Sequence, residues 1–558
     1  MRGLVGGFDN NDGVTDSAAY SDGDSAAARK ARGAFFTPVE ITRYLTRWAV
    51  RSAEDRVFEP SAGDAAFLLA ATERLQRLGA AAPRVDGVEI HAASAAAARR
   101  RVAEAGGTAH IRTADFFDVS PRPEYTAVIG NPPYIRYQDF RGQVRAQSRR
   151  AALQAGVALS GLASSWAAFT VHSALFLRPG GRMALVLPAE LLSVNYAAAV
   201  RKFLFDRFAH VELVMFDEQV FPEAEADIVL LLADGFDQGP SGHAVIHRAH
   251  NAKSLTSELV QRNWSPRDPA DKWVSGLIGN GPVDALHALH TAGRFAHLEL
   301  WGDTTLGMVT GNNGFFALSP ERVRELGLRR TDLLPLSPPG SAHLRGLTLS
   351  ADQLAQLGEQ GKSTQLFRPA GRLSAAAQRY LDAGHAAGVH LAYKCRVRNP
   401  WYVVPVVAPA DLLLTCMNAD TPRLVTNRVK AHHLNSVHGV YLRDGLATLG
   451  RDLLPLAALN SVTLLHAEMT GRSYGGGILK IEPREADRWL MPAPELIVER
   501  TAQLRAVRRR AGALLRNGQL LDAVHLVDDA LGLSDLESIR TARHSLATRR
   551  AVRSRRAR

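Results

Sequence analysis

The stretch Ala127-Val-Ile-Gly-Asn-Pro-Pro-Tyr134 carries the residue types best suited to chemistry: a short apolar strand running into a rigid turn that is polar first and aromatic last. Asn131 offers a side-chain carbonyl, and Pro132 has a backbone carbonyl but no N–H, so the turn through Pro133 presents acceptors in a fixed array. Tyr134 adds a stacking face. An exocyclic amine conjugated to a purine ring is a poor nucleophile. Two acceptors gripping its hydrogens draw the lone pair out of the ring plane toward an electrophile, which suits methyl transfer to adenine N6. A proline-rich turn after a strand, with no chemistry, explains the four residues equally well taken alone. What precedes them therefore decides.

Upstream, three strand ends carry acids in succession. Arg56-Val-Phe-Glu59 reads as a strand, Pro60-Ser-Ala-Gly-Asp64 as a tight turn and Ala65 to Leu78 as a helix, one half of a doubly wound unit. With a single glycine the turn accommodates a group smaller than a pyrophosphate. The strand Val85 to Ile90 ends in Glu89, placed for ribose hydroxyls, and the next ends in Asp115-Phe116, which could bond an adenine amino group and cover its ring. Each acid alone is more readily a strand-end or cap carboxylate. Their succession, with Asn131 at a fourth strand end, fits the rule that open parallel sheets bind ligands at carboxyl ends. Before them, Phe36-Thr-Pro38 opens a helix with Ile41, Tyr44, Leu45 and Trp48 at helical spacing.

In this order, Phe36-Thr-Pro38, Glu59-Pro-Ser-Ala-Gly63, Glu89, Asp115-Phe116 and Asn131 to Tyr134 resemble the gamma-class, TaqI-type N6-adenine DNA methyltransferases of restriction–modification systems, over roughly residues 33 to 495. The resemblance implies a Rossmann-like α/β catalytic domain with a mostly parallel twisted sheet, followed by a mixed α+β target-recognition domain. It implies S-adenosyl-L-methionine as cofactor, with Phe36, Thr37, Pro38, Glu59, Pro60 and Ser61 as neighbours, together with Gly63, Glu89, Ile90, Asp115, Phe116 and Asn131. Asn131 and the Pro132 carbonyl would orient the amine. Tyr134 and Phe221, the latter in Val220-Phe-Pro222, would wall the extruded base. One departure is the stretch Gly63-Asp-Ala-Ala-Phe67, where the family often places a second glycine.

The formal charge of +12 favours a polyanionic partner, although arginine-rich composition alone can produce it. Double-stranded DNA is the expected one. Arg136 and Arg141 lie in an arginine-rich stretch after the turn, Arg396 and Arg398 in an aromatic-interleaved segment suited to phosphates and stacked bases or, alternatively, to a half-buried strand with solvated cations, and Arg472 and Lys480 in a glycine-rich one. These six are the expected DNA contacts, and solvated surface cations are the plain alternative.

The expected organisation is a polar tail over residues 1–30, a catalytic domain over 31–240, a recognition domain over 241–495 and a helical, arginine-rich tail over 496–558, frayed at its end. Two cysteines, Cys395 and Cys416, suit a reducing cytoplasm, and no apolar run or leader points to a membrane or to secretion. Neither cysteine follows a proline, which argues against cytosine-C5 chemistry. Gly361-Lys-Ser363 lacks the glycine of a phosphate loop, since Gln356 stands there, and His432, His433 and His438 read as loop histidines without metal partners. Methylation of RNA adenine or of a protein glutamine amide, and a non-catalytic DNA-binding module, remain as alternatives. With no Asp…Glu-x-Lys pattern, cleavage is expected of a separate restriction endonuclease or defence-system subunit.

Overall fold

Thr37 and Pro38 start a helix because proline fixes φ and lacks the N–H that a first turn leaves unused. The helix α1 (Val39–Ala49) buries Ile41, Leu45 and Ala49 on one face. In the computed structural model, residues 37–135, 142–218, 220–221, 228–257, 259–474 and 477–555 are described. Nine strands form the main sheet: β1 (Val57–Glu59), β2 (Arg84–Glu89), β3 (Thr108–Thr113), β4 (Tyr125–Gly130), β5 (Leu177–Pro188), β6 (Phe208–Phe216), β7 (Ile228–Phe236), β8 (Ala244–Ala249) and β9 (Val260–Trp264). Their order is β3-β2-β1-β4-β5-β7-β6-β8-β9. The pairs β3-β2, β2-β1, β1-β4 and β4-β5 are parallel, and β7 runs against both β5 and β6. The carboxyl ends of β1 to β6 therefore share one edge.

Helices α2 (Ala66–Arg77), α3 (Ala92–Glu104), α4 (Gly142–Gln154), α5 (Ser165–Ala174) and α6 (Ala198–Arg207) complete this half. Alternation along the strands feeds two cores, one on each face. Val128, Met183, Leu185 and Leu187 pack with Trp166, Phe169 and Phe176, whereas Ala127, Ile129, Ala184 and Val186 pack with Ile41, Leu45, Phe67 and Leu68. Strands buried on both faces carry continuous apolar runs, as in Ile228-Val-Leu-Leu-Leu-Ala233.

The sheet continues past the expected boundary at residue 240. Strands β8 and β9 pair onto β6, and Trp264 and Trp273, with ring centroids 5.9 Å apart, close the same core against Phe205. A solvated linker at 240 would have left both indoles in water. Buried Arg201 fixes the crossing by donating to the carbonyls of Ala270 (2.8 Å), Leu191 (2.9 Å) and Val194 (3.0 Å). On the other side, Lys272 pairs with Glu485 at 2.9 Å.

The second half holds a five-stranded sheet in the order Gly302–Leu306, Val437–Leu442, Leu412–Thr415, Leu424–Asn427, Thr348–Leu349, with helices packed around a separate core that includes Trp301 and Trp489. Three expectations need correction here. The segment from Tyr393 is a short helix, Tyr393–Arg396, followed by turns. Of the expected loop histidines, His438 lies instead in the strand Val437–Leu442, and both it and the loop residue His433 are buried, at 0% and 1% exposed. The expected frayed end forms the helix Glu537–Arg555, which buries Ile539, Ala542 and Leu546 and presents Arg550 at 4% exposure. Among the described residues no helix is long and apolar enough to cross a membrane, and no group of His, Cys, Asp and Glu could hold a metal ion.

Candidate active site

Asn131 follows the last residue of β4, at the edge where β1 and β2 end in Glu59 and Glu89. Three long-range contacts hold the turn. The Asn131 amide Nδ2 donates to Thr37 Oγ1 at 3.1 Å, Ser61 Oγ donates to the Asn131 carbonyl at 3.3 Å, and Tyr134 OH donates to the Val186 carbonyl at 3.1 Å. Ser165, fully buried at the start of α5, clamps the far side: its hydroxyl donates to the Pro133 carbonyl at 2.5 Å and accepts from Ile135 N–H at 2.8 Å. The side-chain oxygen Oδ1 of Asn131 is left buried with no partner. A buried acceptor without a donor costs about 1–3 kcal/mol, so this position suits an incoming N–H.

The neighbouring turn is organised by Glu89. One of its carboxylate oxygens accepts from Gly63 N–H and the other from His91 N–H, both at 2.9 Å, which ties the turn after β1 to the end of β2. Gly63 sits at φ +48°, where side chains are disfavoured, and a Cβ there would point into open space. Ala65, in the stretch after it, adopts φ 67°, ψ 18° while fully buried. Glu59 is 2% exposed and its Oε2 has no partner. Burial, with the nearby charges of Asp64 and Glu89, holds its carboxyl well above the usual carboxylate range. The edge is thus rich in unmet acceptors and fits a cationic, amine-bearing cofactor better than an anionic one.

The remaining expected cofactor neighbours are distributed around this edge. Pro38 is half-buried at the start of α1, Pro60 is buried beneath the turn, and Ile90 presents an apolar side chain at 59% exposure beside Glu89. Asp115 caps the short helical turn Phe116–Asp118 through Phe117 N–H at 3.0 Å. Phe116 is 3% exposed, stacked on Phe169 with centroids 5.0 Å apart. Its ring is built into the core, and half-buried Phe117 lies edge-on to the same Phe169. Phe221 is 5% exposed in the apolar cluster against which Tyr134 packs, and burial holds the Tyr134 hydroxyl well above the usual phenol range. Phe36, Arg136 and Arg141 lie outside the described residues.

The expected DNA contacts divide. Arg396 is exposed. Arg398 donates to the carbonyls of Thr310 at 2.7 Å and Val309 at 2.5 Å, Arg472 pairs with buried Glu485 at 2.6 Å, and Lys480 pairs with Glu482 at 2.6 Å. All three cations are engaged by partners within the second half of the chain. Ser165, Arg201 and Glu485 were not singled out from the sequence, because each has a partner far along the chain, Pro133 at 32 residues, Ala270 at 69 and Lys272 at 213, that no local spacing marks.

Residues 23–250 match the family profile N-6 DNA Methylase, and residues 270–531 match the C-terminal domain of the Type II methyltransferase M.Eco57I. The chain is 27% identical over 486 residues to the Type II methyltransferase M.XamI of Xanthomonas campestris pv. amaranthicola, covering 83% of this chain and 85% of that protein. It is 22% identical over 492 residues to M.AccI of Acinetobacter calcoaceticus, covering 85% and 87%. In fold it is similar to the Type IIL restriction-modification enzyme MmeI, solved in complex with DNA, with a TM-score of 0.58 and 11% identity over 92% of this chain and 75% of that one.

Proposed function

Since the chain belongs to the gamma-class N6-adenine DNA methyltransferases of restriction–modification systems, we propose that the turn Asn131–Tyr134 is its catalytic centre, acting on an adenine flipped out of duplex DNA. The observation that carries this reading is the buried, unpartnered Oδ1 of Asn131, held in place from the amide side by Thr37. S-adenosyl-L-methionine, when bound, supplies an electrophilic methyl group on a sulfonium that departs as a neutral thioether. Glu59 would face its positive charge, and Glu89, Ile90, Asp115 and the Gly63 turn would hold its nucleoside end. Asn131 Oδ1 and the Pro132 carbonyl accept the two N6 hydrogens, so the nitrogen lone pair is free to form the new N–C bond. One N6 proton then leaves to water, since an amide at neutral pH does not take it. Tyr134 and Phe221 hold the ring. Catalysis rests on positioning, for which a well-oriented pair of reactants gains several orders of magnitude.

The recognition half would read the target sequence with exposed Arg396 among its contacts. A separate endonuclease would supply cleavage. Single-molecule sequencing of DNA from cells expressing the protein, with Asn131→Ala as control, tests the reading. One short motif methylated at adenine only by the wild type supports it. Absence of new methyladenine from a folded, cofactor-binding protein moves the assignment to RNA adenine or a protein amide.

A further inference from the structure

The helix Glu537–Arg555 touches both halves of the molecule through two consecutive arginines. Arg550 uses all five of its N–H groups: Nε and Nη2 grip Glu468 at 3.1 and 2.7 Å, Nη1 donates to the carbonyls of Ala419 (3.0 Å) and Gly477 (2.5 Å), and Nη2 donates to that of Asp420 (2.9 Å). A buried guanidinium is costly unless satisfied in this way. The result is a fixed junction between the 419–420 turn and the hairpin formed by Arg472–Tyr474 and Ile478–Lys480. One position earlier, Arg549 pairs with Asp217 at 3.6 Å, with side-chain exposures of 13% and 30%. Asp217 directly follows β6, on the sheet edge that carries Asn131, and it is also held by Arg248 Nε at 2.8 Å and through its own N–H to the Ala249 carbonyl at 3.0 Å.

The geometry points to Arg549 as a positioning residue for methyl transfer: together with Arg550 it sets the recognition hairpin against the catalytic edge, so that reading a target and seating its adenine are one mechanical event. This rests on the methyltransferase reading above. A solvated basic tail would leave both arginines in water and touch DNA phosphates instead. Here Arg550 is enclosed and Arg549 faces a carboxylate of the other half.

Two measurements on the full chain test it. In single-turnover methylation, Arg549→Gln lowers the rate on a target site about tenfold, with cofactor and DNA affinities within about twofold, because placement is lost and binding is not. Asp217→Asn gives the same loss, the double variant is no worse than either, and Arg549→Lys recovers part of the rate. In hydrogen exchange without ligands, Arg549→Gln speeds exchange at the end of β6 and leaves the Gly477 hairpin unchanged. Additive losses, or weaker DNA binding with a salt dependence reduced by about one phosphate contact, would mark Arg549 as a DNA contact and overturn the proposal. So would unchanged exchange at β6. An inactive wild type whose β6 exchange still depends on Arg549 would instead fault the methyltransferase reading alone.

Discussion

Asn131 and Thr37, 94 residues apart in the chain, meet through a 3.1 Å hydrogen bond that spends the amide's donor and leaves its acceptor buried and open. The bond makes the orientation of the Asn131 amide a property of the residue that precedes Pro38 and the helix α1.

Thr37→Val keeps the shape and removes that acceptor. Single-turnover methylation is expected to slow by about 10- to 100-fold, the scale on which small misplacements act. Thr37→Ser, which keeps the hydroxyl, is expected to stay near the wild-type rate.

Ser165 satisfies two backbone groups of the turn with one hydroxyl. Ser165→Ala leaves the Pro133 carbonyl and the Ile135 N–H unpaired, a loss of about 2 kcal/mol or more. Urea unfolding measures this, and slower methylation should accompany it because the turn is no longer clamped.

Ala65 holds a left-handed backbone at φ 67° with its methyl buried. Ala65→Gly relieves strain and loses a buried methyl, effects of about 1 kcal/mol each that oppose one another. Thermal unfolding is expected to shift little. Ala65→Val puts a β-branched residue where it is least tolerated, in a filled core, and is expected to cost about 3 kcal/mol.

Glu59 has its carboxyl held well above the usual range, chiefly by burial and then by Asp64 and Glu89. The folded protein therefore keeps a proton that the unfolded chain has released. The stability this contributes is fully present below the unfolded carboxylate pKa and is lost as pH rises through the folded one. A cationic cofactor favours the ionised form, so its binding releases protons and its affinity climbs with pH over the same window. Titration calorimetry in buffers of different ionisation enthalpy reads the proton count. Glu59→Gln should abolish the release.

Burial, with His432 and His438 beside it, pushes the His433 imidazole down to about 4. The folded ring stays neutral where the unfolded one takes a proton, so stability is present above the unfolded pKa of about 6.5 and is lost toward pH 4, at up to about 1.4 kcal/mol per pH unit. Urea midpoints at pH 7 and pH 5 should differ accordingly, with a shallower dependence in His433→Gln.

The contiguous turn and the strand-end acids were legible because their chemistry and their spacing coincide in the chain. Glu59 and Glu89 each close a strand and Asn131 follows one, and a parallel sheet brings such ends to one edge. The cations were less legible. Arg398, Arg472 and Lys480 look like Arg396 in sequence, but a carbonyl at Val309 or a carboxylate at Glu485 decides which of them faces solvent, and only folding brings those partners near. His433 and His438 misled for a related reason: a polar, turn-rich context hides that both side chains are buried, and that His438 lies in a strand. Phe116 was expected over a ligand ring and is instead stacked with Phe169 in the core, a choice set by α5.

The indoles of Trp264 and Trp273 stand where one half of the molecule hands over to the other, yet both belong to the first half's interior. Grafting a relative's second half after residue 240 would cut through that interior and strip Arg201 of the Ala270 carbonyl it grips. A chimera joined beyond Leu277 keeps that interior and the Arg201–Ala270 contact whole. Natural recombination that preserves folding faces the same boundary.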